Sequence, residues 1–317
     1  MTYNFDPEFT DVIAALPQMP FDDPVAARAG IEALSAAMNA SVDLTGVQVD
    51  EREIPGPPQA PAVKVRIYTP AERAAQPSAA LLYIHGGGFV VGSIDTEHAS
   101  SAMLARKLGI AVISIEYRLA PEHPYPTGLE DCYAVLGWVH EQATALQIDR
   151  ARIGVFGQSA GGGLAAALAL LTRDRKGPAL CFQFLGIPEL DDRLDTPSMR
   201  AFTDTPLWHR PNAILSWKYY LGANYQAGAD DVPAYAAPAR AVDVSGLPPA
   251  YISAMEFDPL RDEDVIYALK LMQAGVPVEL HTYPGTFHGS SLIAHAAVSK
   301  RQQQEMLDVL RRGLKIG

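Results

Sequence analysis

The sequence has little cysteine and no excess of basic residues. Its 317 residues include two cysteines, Cys132 and Cys181, and no C-x-x-C pair, which excludes a disulfide framework and gives no zinc or redox motif. Lys and Arg total 25 against 36 Asp and Glu, for a formal net charge of -11. Nucleic acid is therefore an improbable partner, because phosphate binding depends on clustered basic side chains.

Long apolar runs and a recognisable export signal are also missing. A membrane-spanning helix needs about 20 consecutive apolar residues, and the sequence contains no such run. The first residues, MTYNFDPEFTD, carry acids where a signal peptide has a basic region. We therefore expect a cytoplasmic protein with no membrane partner. No motif calls for a metal or an organic cofactor.

Apolar runs rich in Val and Ile alternate with helical patterns along most of the chain. This alternation is typical of α/β proteins, and it predicts a mostly parallel eight-stranded sheet flanked by helices. Helices are predicted over 98–108 and 127–146, with a third beginning at Ala160. The predicted strands cover residues 47–54, 62–70, 80–88, 110–117, 152–160, 179–187, 250–255 and 276–283. The first two strands should form an antiparallel pair.

Two regions do not fit the alternation, and we expect them to form a helical cap. Residues 1–42 read as an amphipathic helical lead with several prolines. Residues 191–222 form an insertion rich in Trp and Tyr between two strands. The remaining segments, 43–190 and 223–317, would then make up the catalytic domain.

The stretch VFGQSAGGG places Ser159 in a Gly-x-Ser-x-Gly frame, between a predicted strand and a predicted helix. Ligand sites of open α/β sheets lie at this strand end. Gly157 and Gly161 suit a tight turn that pushes the serine outward, and the helix start supplies free N–H groups. The alternative is a glycine-rich turn with an incidental serine. A dinucleotide site does not fit, because Gly-x-Gly-x-x-Gly is not in frame.

The stretch HGGGF, at residues 85–89, supplies a second part of such a site. Consecutive glycines Gly86, Gly87 and Gly88 allow neighbouring backbone N–H groups to turn toward one point, as an oxyanion hole requires. The N–H of Ala160 would complete it. A phosphate-binding loop is the alternative, but no Lys-Ser/Thr pair follows. We expect His85 to anchor the loop.

A general base is predicted at His288. Of the histidines late in the chain, His281 falls within a predicted strand and His295 within a helical region, whereas His288 follows a strand in a Pro-Gly loop. Only a residue beyond the strand end would emerge beside Ser159.

The acid that orients this base is predicted at Asp258, just after a strand. Glu256 is the rival carboxylate. The acids at 262–264 look instead like first-turn residues of the following helix.

Taken in order, the motifs HGGGF, EYRLAPEHPYP, GQSAGG, DPLRDE and FHG resemble those of the bacterial hormone-sensitive-lipase group of α/β-hydrolase esterases. The resemblance covers nearly the whole chain and implies the α/β-hydrolase fold, a cap and often a homodimer. It also implies that Ser159, Asp258 and His288 form a catalytic triad, with oxyanion donors at Gly87, Gly88 and Ala160 and with Gly86 shaping the loop. One departure is Gln158, where most members carry Asp.

The predicted function is hydrolysis of short-chain, acetyl or aryl esters through an acyl-enzyme. An amidase or peptidase would need the same triad and stays open. A noncatalytic small-molecule binding protein should lack the base, so the presence of His288 disfavours it. Charged side chains in the insertion disfavour a long-chain lipase. Five aromatic residues could line an acyl or alcohol pocket, with plain packing of the cap against the core as the alternative: Phe89, Trp208, Trp217, Tyr219 and Tyr220.

Overall fold

The computed structural model describes residues 3–16, 20–72 and 76–316, and within them the chain builds one eight-stranded sheet. Its strands are β1 (Val47–Ile54), β2 (Val63–Pro70), β3 (Ser78–Ile84), β4 (Ala111–Glu116), β5 (Ile148–Gln158), β6 (Phe182–Gly186), β7 (Ala250–Phe257) and β8 (Val278–Phe287). Their order across the sheet is β1-β2-β4-β3-β5-β6-β7-β8.

Strand directions confirm the predicted sheet. β1 pairs with β2, and β2 with β4, in antiparallel fashion, while every pair from β4 through β8 is parallel. Parallel strands are buried on both faces, so they read as continuous apolar runs. In β3, for example, Leu82 and Ile84 pack into the core on one face, while Leu81 and Tyr83 pack into the core on the other.

The helices flank this sheet. They are α1 (Thr10–Ile13), α2 (Pro24–Asn39), α3 (His98–Leu108), α4 (Thr127–Glu141), α5 (Ala143–Leu146), α6 (Ala160–Asp174), α7 (Pro197–Ala201), α8 (Arg210–Leu221), α9 (Arg261–Gln273) and α10 (Ala297–Gly313). α3 and α10 contribute to the core on one face of the sheet, and α4, α6 and α9 to the core on the other. No helix in the described residues combines the length and apolarity needed to cross a membrane.

The structure differs from the sequence prediction at several element boundaries: β3 ends at Ile84 before the glycines, β5 begins earlier at Ile148, and two further differences concern a broken helix and an extended strand. The helix predicted over 127–146 is broken at Gln142 into α4 and α5. The last strand continues through the Pro-Gly pair to Phe287, because Phe257 and Phe287 still pair beyond a bulge in which residues 284–286 of β8 lie opposite Glu256 of β7. His288 therefore follows the strand directly and not a loop.

The segments predicted as a cap pack against each other beside the HGGGF loop. A cluster of buried apolar side chains joins Phe21 and Ala27 from the N-terminal part, Met199 and Trp208 from the insertion, and Val90 after the loop. α2 begins at Pro24, where the side chain of Asp23 accepts hydrogen bonds from two backbone N–H groups of the first turn. Residues 1, 2 and 17–19 of the predicted helical lead lie outside the described residues.

Candidate active site

Ser159 lies between the end of β5 and the start of α6, in a backbone conformation that few L-residues adopt. Its φ is 56° and its ψ is -126°. The conformation is fixed by neighbours: the N–H of Ser159 donates to the carbonyl of Gly186 at 2.8 Å, and its own carbonyl accepts from Gly163 and Glu189. Non-glycine residues with positive φ persist where the surrounding structure holds them, often at functional sites.

The flanking glycines are required by close backbone approach. A Cβ at Gly157 would stand 2.0 Å from the carbonyl oxygen of Gly161, and a Cβ at Gly161 would stand 2.2 Å from that of Ile84. A side chain at either glycine would therefore force the backbone of the turn to move. The Gly-x-Ser-x-Gly frame thus packs the start of α6 against β3 and β5, with Ser159 at the tip.

His288 joins Ser159 to Asp258 through two short contacts. Nε2 of His288 lies 2.9 Å from Oγ of Ser159, and Nδ1 lies 2.6 Å from Oδ2 of Asp258. All three residues are buried, with Asp258 fully so. Oδ1 of Asp258 accepts the N–H of Leu260 at 2.9 Å, which fixes the carboxylate. The predicted serine, base and acid are therefore brought together.

The rival candidates lie elsewhere. Oε2 of Glu256 accepts the N–H of Gly285 at 2.6 Å and so holds the bend in β8. His281 contacts Glu279 and Glu305, and His295 contacts the carbonyl of Glu8. Each of these three side chains is therefore engaged elsewhere, and none of them hydrogen-bonds to Ser159 in the described structure.

The acids at 262–264 are in the first turn of α9, as predicted, but they also make contacts that sequence reasoning missed. Glu263 and Asp264 are buried, and Oε1 of Glu263 accepts the N–H groups of Leu190 and Asp191 at 2.7 and 3.1 Å. Oδ2 of Asp262 accepts the N–H of Ser198 at 2.7 Å. α9 therefore anchors both the start of the insertion and α7.

The HGGGF loop has the backbone conformation that its glycines predict. Gly87 has a φ of 113° and Gly88 a φ of 56°, and a Cβ at Gly87 would lie 2.2 Å from the carbonyl oxygen of Val91. A Cβ at Gly86 would lie 2.9 Å from the carbonyl oxygen of Gln158, so this loop runs directly beside Ser159. In the described chain, no backbone carbonyl accepts the N–H of Gly87, Gly88 or Ala160. Three donors are thus free near one serine.

His85 holds the HGGGF loop in place through contacts with Tyr117 and with the backbone of Gly86. Its ring stacks on Tyr117 with centroids 4.1 Å apart, and Nδ1 lies 2.8 Å from the carbonyl oxygen of Gly86. Burial lowers the pKa of His85 to about 4, so the ring is neutral. Tyr117 in turn donates to the carbonyl of His85 at 3.0 Å.

Two further residues support the loop and were not predicted. Oγ of Ser216, on α8, donates to the carbonyl of Gly88 at 3.0 Å. Beside Ser216 lies Glu189, a fully buried carboxyl with no charged partner among the described contacts. Burial raises the pKa of Glu189 to about 8, so this carboxyl is mostly neutral at pH 7. Neither residue lies in a motif, and only the fold brings them together.

A cavity of about 440 Å³ opens at the site. Gly86, Gly87, Gly88, Ser159 and His288 all line it. Of the five aromatic candidates, Trp208 lines the cavity, with its ring 5.7 Å from that of His288.

The other four candidates have packing or tethering contacts. Phe89 stacks on Tyr220 at 3.9 Å and lies 5.7 Å from the ring of Trp217, all within the core. Tyr219 donates to the carbonyl of Asp22. Plain packing is thus the better account of these four residues.

Comparisons with known proteins show the family to which the chain belongs. Residues 81–292 match a family model described as the α/β-hydrolase fold. A solved structure of bacterial heroin esterase is 54% identical, with a TM-score of 0.96 over 98% of both chains.

Curated relatives with similar sequences are also named as ester hydrolases. The carboxylesterase NlhH of Mycobacterium tuberculosis is 43% identical over 230 residues, which span 72% of this chain and 70% of that protein. The ethyl acetate hydrolase of Pseudomonas putida is 39% identical over 226 residues, which span 71% of this chain and 70% of that hydrolase. The resemblance noted in the sequence is confirmed, and the chain belongs to the α/β-hydrolase family, among its serine carboxylesterases.

Proposed function

We propose that Ser159, His288 and Asp258 form the catalytic triad of this carboxylic ester hydrolase, with Gly87, Gly88 and Ala160 as oxyanion donors and Gly86 shaping the loop. The observation that carries the proposal is the unbroken contact chain from Ser159 Oγ through His288 to Asp258, at 2.9 and 2.6 Å. Such a chain lets a base remove the serine proton while a carboxylate orients that base.

The mechanism has two steps. Oγ of Ser159 attacks the ester carbonyl carbon while Nε2 of His288 takes the hydroxyl proton, and the three free N–H groups stabilise the oxyanion. His288 then gives its proton to the departing alkoxide, which leaves as the alcohol. Water, deprotonated by His288, attacks the acyl-serine, and collapse of the second intermediate releases the acid and restores Ser159.

We propose small, water-soluble esters with short, acetyl or aryl groups as substrates. The predicted cap is rich in charge, and two of its ion pairs are local: Asp191 with Arg193, and Asp195 with Arg200. Such a surface is poorly suited to lie on a lipid aggregate. The printed name of one relative, ethyl acetate hydrolase, agrees with a short acyl group for that protein.

Hydrolysis of p-nitrophenyl acetate, butyrate and octanoate, with a matched p-nitroanilide, tests this proposal. We expect wild type to cleave the acetate and butyrate faster than the octanoate and the anilide. Ser159→Ala should lose at least about 10⁴-fold in kcat, because triad members act as a unit. Ser41→Ala, at an exposed serine on the protein surface, is the matched control and should keep full activity.

The possible outcomes distinguish an esterase from an amidase and from a noncatalytic binding protein. Full activity in a folded Ser159→Ala variant would overturn the triad. Faster cleavage of the anilide than of the esters would favour the amidase alternative. A wild type that is inert toward all four compounds would favour a noncatalytic binding protein.

We also propose a homodimer in the cytoplasm. An edge strand, β8, and exposed apolar side chains on α9, namely Ile266, Leu269 and Met272, support self-association. The free thiols of Cys132 and Cys181 support a reducing compartment. Light scattering coupled to size exclusion tests the dimer, and a monomeric mass at micromolar concentration would contradict it.

A further inference from the structure

Gln158 directly precedes Ser159 and lines the same cavity. Side chains alternate between the two faces of a strand, so Gln158 lies on the face of β5 that carries Phe156. Phe156 packs into the core that α3 and α10 cover. The Gln158 side chain therefore borders the cavity on the side of these two helices.

The strand beside β5 makes room for this side chain. Gln158 is the direct neighbour of Gly186 on β6, and a Cβ at Gly186 would lie 2.9 Å from Cγ of Gln158 and 3.5 Å from its Cδ. The glutamine side chain thus lies against the bare backbone of Gly186 and occupies the space that a side chain there would need. Ser253 on β7 is the next residue across the sheet, and it also lines the cavity. Gln158 therefore fills the recess between Ser159 and Ser253.

The part of the cavity next to His288 is different, because it is apolar and open. Gly289 follows His288, and a Cβ at Gly289 would lie 3.1 Å from Cδ1 of Leu207 and 3.9 Å from Cδ1 of Leu292. Both leucines line the cavity, and Leu292 is 77% exposed. An ester arm on this side can therefore extend toward solvent.

The proposed reaction requires the two arms of an ester to lie in different parts of the cavity. The alcohol oxygen must face Nε2 of His288 to receive its proton, so the alcohol arm lies on the open side. The carbonyl oxygen lies at the N–H groups of Gly87, Gly88 and Ala160. The acyl arm then lies in the remaining direction, toward Gln158.

We infer that Gln158 limits the length of the acyl group that the site accepts. An acetyl group ends before it reaches the glutamine side chain, whereas a longer acyl chain meets atoms that already fill the recess. Closely packed atoms leave no room for added methylene groups unless they are displaced. The inference rests on the proposed function and names the residue that makes short acyl groups the preferred ones.

Two substitutions at this position test the inference. Gln158→Ala removes the amide and the methylene group that cover Gly186, so it opens the recess. Gln158→Met keeps an unbranched side chain of the same length, so it leaves the recess filled. Steady-state hydrolysis of p-nitrophenyl hexanoate and p-nitrophenyl acetate gives a ratio of kcat/KM, hexanoate over acetate, for each variant. This acyl ratio is internal to each variant, so it does not depend on how much active enzyme is present.

We expect Gln158→Ala to raise the acyl ratio by at least about tenfold over wild type, since each methylene group that becomes buried contributes about fourfold. Gln158→Met should stay close to the wild-type ratio. Gln226→Ala is the matched control, because Gln226 is exposed and outside the cavity lining, and it should leave the ratio unchanged.

Ethyl acetate and hexyl acetate carry the difference in length on the alcohol arm instead. Their ratio of kcat/KM, measured by titration of the released acid, should be the same in Gln158→Ala as in wild type. An alcohol ratio that rises as much as the acyl ratio would overturn the assignment of Gln158 to the acyl arm.

Two further results would overturn the inference. One is an unchanged acyl ratio in a folded Gln158→Ala variant, and the other is a rise in Gln158→Met as large as that in Gln158→Ala. In either case, hydrolysis of p-nitrophenyl acetate that is lost in Ser159→Ala would leave the esterase proposal standing. Wild-type inertness toward all of these esters would instead remove the proposed function itself.

Discussion

Glu189 illustrates how one residue can support a site without touching substrate. It is fully buried, no charged side chain pairs with it among the described contacts, and it lies next to Ser216, which supports the HGGGF loop. An ionised carboxylate there would be poorly solvated. The proton that the folded protein retains on Glu189 therefore links stability to pH.

The pKa of about 8 at Glu189 predicts the sign of this link. Between about pH 4.5 and pH 8 the folded protein holds a proton that the unfolded chain has released, so stability falls as pH rises through that window. Glu189→Gln cannot titrate. We expect it to match wild type near pH 4.5 and to exceed it by ~4 kcal/mol at pH 8, since each unit of pKa is about 1.4 kcal/mol and the carboxyl is half-titrated at each end of this window.

Urea unfolding at both pH values measures this difference, provided that the transition is reversible. Glu53→Gln, at an exposed site, should show no such change between the two pH values. Equal stability of Glu189→Gln and wild type at pH 8 would contradict a neutral carboxyl at this position.

At the scale of single residues, the sequence predicted what lies inside motifs. Ser159, Asp258 and His288 were chosen because each follows a recognisable strand, and parallel strands place their carboxyl ends at one edge of the sheet. Glu189 and Ser216 had no such signal. Their roles depend on a contact between an insertion helix and a glycine loop 128 residues earlier in the chain, which no local pattern encodes.

At the scale of elements, the HGGGF loop carries the clearest structural demand. Gly87 combines a φ of 113° with a Cβ position 2.2 Å from the carbonyl oxygen of Val91. We expect Gly87→Ala to displace the loop and to lower kcat on p-nitrophenyl acetate by at least about 10²-fold, the usual loss when one oxyanion donor is removed.

Gly137→Ala is the matched control for this variant. Gly137 lies inside α4, and a Cβ there meets nothing within 4 Å. Alanine is preferred over glycine in a helix by up to about 1 kcal/mol, so this variant should be at least as stable as wild type and fully active. Normal kcat in a folded Gly87→Ala would show that the loop conformation does not set the rate.

Strands were predicted correctly where the length of an apolar run and its burial in the sheet indicate the same element. The runs in β3 through β7 are buried on both faces and bounded by glycine or polar residues, so their apolar lengths identified them. The prediction failed at the carboxyl end of β8. There the Pro-Gly pair indicated a loop, but the chain only bulges at Gly285, whose φ is 73°, and pairing with β7 resumes between Phe257 and Phe287. Tertiary pairing overrode the local turn signal.

At the scale of the whole molecule, Arg28 connects the N-terminal segment to residues beside the candidate active site. Arg28, on α2, donates to the carbonyls of Val90 and Ala120 at 2.8 and 2.7 Å, and its guanidinium pairs with Glu122 at 2.6 Å. It therefore links three separate stretches of chain, one of them immediately after the oxyanion loop.

We expect Arg28→Ala to loosen this link, raising KM for p-nitrophenyl butyrate about three- to tenfold and speeding proteolysis near the N terminus. Arg28→Lys keeps the charge but loses the planar fork, so it should recover only part of the effect. An unchanged KM with unchanged proteolysis in Arg28→Ala would show that α2 is held by its apolar contacts alone.

The spread of the site along the chain has a consequence for synthesis. Gly86 and His288 bracket about two thirds of the sequence, and the strands that carry them, β3 and β8, are separated in the sheet by β5, β6 and β7. A nascent chain synthesised only as far as β7 would thus already hold the proposed nucleophile and the proposed oxyanion donors while lacking the proposed base. Ester hydrolysis would begin only after β8 has been synthesised and has paired with β7, so its onset would report, in real time, completion of this strand of the sheet.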